Sequence, residues 1–262
     1  MKKQEVKGNP VKGFLALLSF LTIIPTRVHD LLLGARYFYM VPLVGLVEGF
    51  IVVLPLYTGL PLELKALLAL ILSYLVTGFN HIDGFADFID AIASRKHGEE
   101  ALRIIKEPWK GPMAIISTIL LVLTAFTSIM YLSTRYYYLV VTSHVLASES
   151  MFLLAVFSRQ PGYQGLGSLF IGEAKKNTSI IYNIVVAALV LALLTYMYRP
   201  FPLVMIAFLL MTLTAMVTVF YTYVKAHSIL GYSNGDVLGF CFELTKTATL
   251  LVAVVPLSTI SF

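Results

Sequence analysis

Three aspartates stand at helical spacing in the stretch T-G-F-N-H-I-D-G-F-A-D-F-I-D-A-I-A-S-R, residues 77–95. Asp83, Asp87 and Asp90 fall at i, i+4 and i+7. At ~100° per residue, a helix holds such positions within an arc of roughly 60°. Carboxylates crowded onto one stripe repel, and a divalent cation relieves the repulsion. Mg²⁺ is the expected ion, because it takes hard oxygen ligands and commonly bridges them to substrate phosphates. A solvated helix face is the usual explanation of an acidic triplet. Here the triplet follows directly on an apolar run, Leu64 to Phe79, so it opens at the edge of that run and not on a polar surface. Gly84 and Ala86 keep the neighbourhood small, as close approach of a bulky ligand requires.

Other residues could serve the same chemistry. The loop 91–111 carries Arg95, Arg103, Lys106 and Lys110 as candidate phosphate contacts. Within it, Ala101, Leu102, Ile104 and Ile105 alternate with Arg103 and Lys106, the pattern of a short amphipathic helix lying on a membrane. The segment 158–179 holds Gly162, Gly165, Gly167 and Gly172, whose backbone N–H groups could approach an anion; a flexible turn is the plainer reading. No Walker G-K-[ST] follows it. Asn234-Gly235 marks a tight turn, and Asp236 begins the last apolar run, where an acidic residue is either a helix cap or a functional group. Glu243 lies seven residues on, and Glu48 and Glu149 are also placed in apolar runs, with Lys246 and His144 as candidate partners. There is no H-E-x-x-H, and the single cysteine, Cys241, sits in an apolar run, so zinc, disulfide and thiol chemistry are not expected.

The elements that must position these groups are membrane helices. Of 262 residues, 58% are hydrophobic and only 13% charged, about half the charge of a soluble domain, and the mean hydropathy is +0.86. Seven apolar runs lie near 38–59, 64–79, 112–132, 137–157, 180–198, 202–224 and 240–260. The second is short unless its helix continues into the aspartate stretch, as expected here. A basic start followed by Gly13 to Ile24 resembles a signal peptide without a small-x-small cleavage site, and reads as a retained interfacial or re-entrant helix. The expected fold is therefore an all-α polytopic integral membrane protein, one domain over 1–262, with about seven transmembrane helices plus that N-terminal helix.

Orientation follows from the basic residues. Fifteen of the 19 Lys and Arg lie in segments 1–37, 80–111, 158–179 and 225–239. Only Lys65, Arg135 and Arg199 lie in the alternate turns, and Lys246 is inside the last run. The positive-inside rule puts the first set in the cytoplasm of a cell-membrane protein. All five aspartates fall in or beside those segments, so the active face is expected to be cytoplasmic. The net charge of +5 is explained by this topology and gives no nucleic-acid signal.

These motifs resemble the cobalamin-phosphate synthase family, the adenosylcobinamide-GDP ribazoletransferases. His81 to Asp90 match the family's H-x-D-G-x-A-D-x-x-D core, and Gly165-Leu166-Gly167 through Gly172 match its second loop. Gly235-Asp236, Leu238-Gly239 and Glu243 match its G-D-x-L-G-x-x-x-E end. Phe20-Leu21-Thr22 with Pro25, then Pro42 to Gly45, resemble its N-terminal part. Departures include Ala91 for a glycine, Glu149 for an arginine, and Glu107 to Gly111 for an acid-Ser-basic-x-Gly loop. The resemblance implies Mg²⁺ on Asp83 and Asp87, with Asp90 the third candidate ligand. It also implies a base drawn from Asp83, Asp87, Asp90 or Asp236. Substrate would meet His81, Arg95, Lys106, Gly165, Gly167 and Glu243. The substrates implied are adenosylcobinamide-GDP and α-ribazole or its phosphate, with the lipid bilayer as surroundings and an oligomer compatible with the sequence.

Two other classes compete. A CDP-alcohol phosphatidyltransferase-like enzyme would use similar chemistry, but its D-G-x-x-A-R motif is absent. An ion-coupled transporter would use Glu48, Glu149 and Glu243 as a path, but no inverted repeat is present, and its aspartates would not be massed on one side.

Overall fold

The computed structural model describes residues 9–133, 135–198 and 202–258. Lys2, Lys3, Lys7 and Arg199, which entered the charge asymmetry, lie outside them. Regular structure among the described residues is helical throughout. The chain opens with α1 (Pro10–Leu21), where Asn9 accepts the Val11 N–H and Pro10 takes the first helical position. A short α2 (Leu31–Arg36) follows, capped by Asp30, which accepts the Leu33 N–H at 2.9 Å. Then come α3 (Val41–Val53), α4 (Leu62–Val76), α5 (Asn80–Ser94), α6 (Gly98–Ile105), α7 (Pro112–Leu132) and α8 (Tyr138–Phe157). The last four are α9 (Leu166–Ala174), α10 (Asn177–Tyr198), α11 (Pro202–Ile229) and α12 (Gly235–Ser258).

The chain is a multi-pass membrane protein. Among the described residues, six helical segments are long and apolar enough to cross a bilayer: 38–57, which is α3 with its flanking 3₁₀ turns, and α7, α8, α10, α11 and α12. The pair α4 and α5, bent at the break between them, forms either a broken span or a re-entrant loop. α1, at 12 residues, spans only about 18 Å and is too short to cross. Burial sorts the long helices. Of its apolar window α8 has 89% buried and α12 72%, against 17% for α10, so α8 and α12 form the centre and α10 lies at the outside. A core of large apolar side chains, among them Phe38, Phe152, Phe240 and Phe242, joins α8 and α12 to α5 and the N-terminal helices.

Two expectations change. The second apolar helix does not run on into the aspartates: it stops at Val76, and α5 leaves at 83°. The break is in the backbone. Gly78 and Phe79 have φ of 61° and 62°, and the Phe79 N–H turns back to the Tyr74 carbonyl at 3.0 Å. Two consecutive left-handed residues end an α-helix. α4 therefore carries the crossing direction and α5 turns out of it. The glycine segment 158–179 is not simply a loop, because its second half is α9, which buries Phe170, Ile171 and Ala174 at helical spacing.

The four basic segments meet at one end of the bundle. Phe20 stacks on Phe170, the Arg159 N–H donates to His227 at 3.0 Å, and His97 meets the Ser228 carbonyl at 2.9 Å. This is the end to which α5 is turned.

Candidate active site

The 83° turn lays α5 across the start of α12. Gly84 makes the crossing close: a Cβ there would stand 2.7 Å from the Asp236 carbonyl oxygen and 3.0 Å from its Cα. The next residue, Phe85, stacks on Phe240 at 5.3 Å, and three residues before Gly84 the His81 ring lies 4.3 Å from that of Phe242. The small residue beside the aspartates is thus required by helix packing, and its effect is to bring Asp236 against the aspartate stripe.

Asp236 does not cap α12. That work falls to Asn234, whose side-chain oxygen accepts the Val237 N–H at 3.0 Å while its amide donates to Asp236 at 3.0 Å. Asp236 is left facing a cavity of about 460 Å³. From α5 the cavity takes Asn80, His81 and Asp83; from the third basic segment Tyr163, Gly165, Gly167 and Ser168; and from α12 Gly235, Asp236 and Gly239. Gly167 is another backbone crossing, since a Cβ there would stand 2.4 Å from the Gly235 nitrogen. Its absent side chain seats α9 against the start of α12, and Gly165 and Gly167 both line the cavity.

The aspartates divide. Asp83 is exposed and Asp87 buried, and Lys110 stands between them, 3.1 Å from Asp83 and hydrogen-bonded to Asp87. Asp90 is drawn away: its carboxylate accepts the Gly111 N–H at 2.6 Å and the Ala114 N–H at 3.3 Å, at the start of α7. It satisfies helix-end donors that would otherwise be orphaned. Burial works against the Lys110 ammonium, but its bonds to Asp87 and Asp83 outweigh that and raise its pKa. Of the four basic candidates in 91–111, Lys110 is therefore the one the structure seats among the carboxylates.

A family model described as cobalamin-5-phosphate synthase matches residues 13–254. The chain belongs to that family. A protein of Chlorobaculum tepidum named adenosylcobinamide-GDP ribazoletransferase is 30% identical over 250 residues, covering 93% of this chain and 95% of its own. Relatives of the same name from Treponema denticola, at 29% identity over 92% of this chain and 96% of theirs, and Pyrobaculum calidifontis, at 30% over 90% and 96%, match similarly. No solved structure matches. Membership in this enzyme family accounts for the aspartate motif where the phosphatidyltransferase and transporter readings do not.

The remaining expected residues of this family member are spread. Lys106 is exposed but lies 5.3 Å over the ring of Tyr163, at the cavity. Arg95 ends α5 in a left-handed conformation with φ 56°, exposed and not lining the cavity. Glu243 is fully buried, two turns deeper in α12, and bonds Lys246 at 2.9 Å; Lys246 also donates to Ser73 at 3.1 Å. That places Glu243 in the helix packing and not at the cavity. Of the expected partners, His144 meets Ser73 at 3.1 Å and Lys246 bonds Glu243, while Glu149 accepts from Asn183 at 3.0 Å and not from either base. In the apolar part of the cavity lining, Phe20, Leu21 and Phe170 fall in stretches that resemble the family, whereas Phe38 and Met151 had no signal in the sequence beyond general hydrophobicity.

Among the described residues no three His, Cys, Asp or Glu side chains converge as they stand to hold a metal. The donor chemistry nevertheless fits a hard divalent ion. Asp83 and Asp87 already share one positive charge, the Lys110 ammonium, and Asp236 lines the same cavity as Asp83.

Proposed function

We propose that this protein transfers the phosphocobinamide group of adenosylcobinamide-GDP to a ribose hydroxyl of α-ribazole, or of its 5′-phosphate, with release of GMP. The observation that carries the reading is the meeting of Asp83 and Asp236, 153 positions apart in the chain, at one cavity beside Lys110. In the reaction the acceptor oxygen forms a bond to the cobinamide-bearing phosphorus, the bond from that phosphorus to the bridging oxygen breaks, and GMP carries the electron pair away. Such a transfer needs alignment and charge neutralisation more than a covalent nucleophile.

Asp83 and Asp87 would hold Mg²⁺, which when bound would neutralise charge on the pyrophosphate. Lys110 offsets charge on the phosphoryl group in transit. Asp236, on the cavity wall, accepts the hydroxyl proton. Asp90 acts on α7, fixing the Gly111 turn that carries Lys110. By the charge asymmetry, this end of the bundle faces the cytoplasm of the cell membrane, where both substrates are soluble. The test is purified protein with adenosylcobinamide-GDP and α-ribazole. GMP should form with Mg²⁺, stop with chelator and resume on adding Mg²⁺ back. Undiminished GMP release after exhaustive chelation overturns the metal role, and no GMP under any condition overturns the reaction.

A further inference from the structure

The cavity is lined by two unlike sets of side chains. One is polar, with Asn80, Asp83, Asn234 and Asp236. The other is built from Phe20, Leu21, Phe38, Met151 and Phe170. Its rings are ordered: Phe20 and Phe170 stack at 4.6 Å with planes 18° apart, and Phe38 meets Phe170 edge-on at 5.2 Å. Among the described residues the lining contains two carboxylates and neither Lys nor Arg.

We propose that the aromatic set seats the heteroaromatic base of the acceptor nucleoside, with Phe20 and Phe170 as specificity residues. The proposal rests on the transfer reaction above. Charge decides between the substrates. The donor pyrophosphate is anionic and belongs with Lys110 and the metal, on the polar side. Guanine presents a hydrogen-bonding edge that five apolar side chains cannot satisfy. A fused ring with an apolar edge gains from leaving water and from offset or edge-on packing against rings already so arranged. The ribose then bridges the two sets, bringing its hydroxyl toward Asp236. A volume of about 460 Å³ suits one small molecule, in the range of ordinary ligand sites.

The aromatic set discriminates by what it lacks. An acceptor whose base carries an amino group on the buried edge leaves that group unpaired, which lowers kcat/KM by roughly 10- to 100-fold. The experiment is steady-state GMP release from full-length protein in lipid nanodiscs. It compares wild type with Phe20→Ala, and α-ribazole with the α-riboside of adenine. Phe20 is half-buried, so this variant disturbs the core less than one at Phe170. Expected are a rise of about tenfold or more in the KM for α-ribazole, a KM for adenosylcobinamide-GDP within twofold of wild type, and a reduced preference for α-ribazole over the adenine riboside. Should Phe20→Ala fail to assemble, Phe20→Leu keeps the bulk, removes the ring and should show the same split. A rise in the donor KM alone assigns the aromatic set to the donor and overturns the proposal, as does no change in either KM. A wild type that releases no GMP is a different result and overturns the reaction itself.

Discussion

The Lys110 ammonium lies 3.1 Å from the Asp83 carboxylate, and it hydrogen-bonds Asp87 as well. A cation held by two carboxylates beside a cavity is placed for an incoming anion. Lys110→Met should lower turnover by about 100-fold with the protein still assembled, the scale of losing one preorganised charge at a transition state. Lys110→Arg should recover part of it. Near-normal rates for Lys110→Met would make the lysine a structural counter-ion only.

Asp83 and Asp90 separate under the same substitution. Asp83→Asn should cost ~100-fold or more in rate. Asp90→Asn keeps one acceptor for the start of α7 and should cost about 1 kcal/mol or less of stability, with turnover within a few-fold of wild type. Rates measured at matched protein amount check this; equal, large losses at both positions would return Asp90 to the metal.

Gly84→Ala puts a methyl 2.7 Å from the Asp236 carbonyl, where backbone must move. The expected cost is about 1–3 kcal/mol of stability, with activity lost as Asp236 shifts away from Asp83. Gly162→Ala, whose methyl would meet nothing within 4 Å, is the control and should match wild type in melting and rate.

The Glu243–Lys246 pair is 2.9 Å long and almost fully buried. Removing one partner leaves an uncompensated charge, so Lys246→Met should destabilise by about 3–5 kcal/mol, and Glu243→Gln added to it should recover much of the loss. Thermal melting in detergent measures both. A single variant as stable as the double one would show that the pair is not coupled.

Orientation is checked by labelling single cysteines at Lys96, Lys176 and Arg135, all exposed. The first two should react from the cytoplasmic side and the third from outside; the native Cys241 is buried and should not interfere.

The features legible from the residues alone are those that composition and local periodicity control. Apolar run length set the membrane spans, and the run at 112–132 coincides with α7. The spacing of Asp83 and Asp87 put them on one helical face, and the charge asymmetry marked the segments that meet at one end. Tertiary structure decided the rest, because it turns on contacts between residues far apart in the chain and on single backbone dihedrals. Gly78 and Phe79 bend the chain by 83°, which no apolar count registers. Asp90 lies on the predicted stripe but bonds the start of α7, and Lys110, one basic residue among four in its loop, reaches Asp83 and Asp87 because α7 begins where it does. Asp236 joins them only because Gly84 lacks a side chain: a pairwise steric fit, visible once both helices are in place.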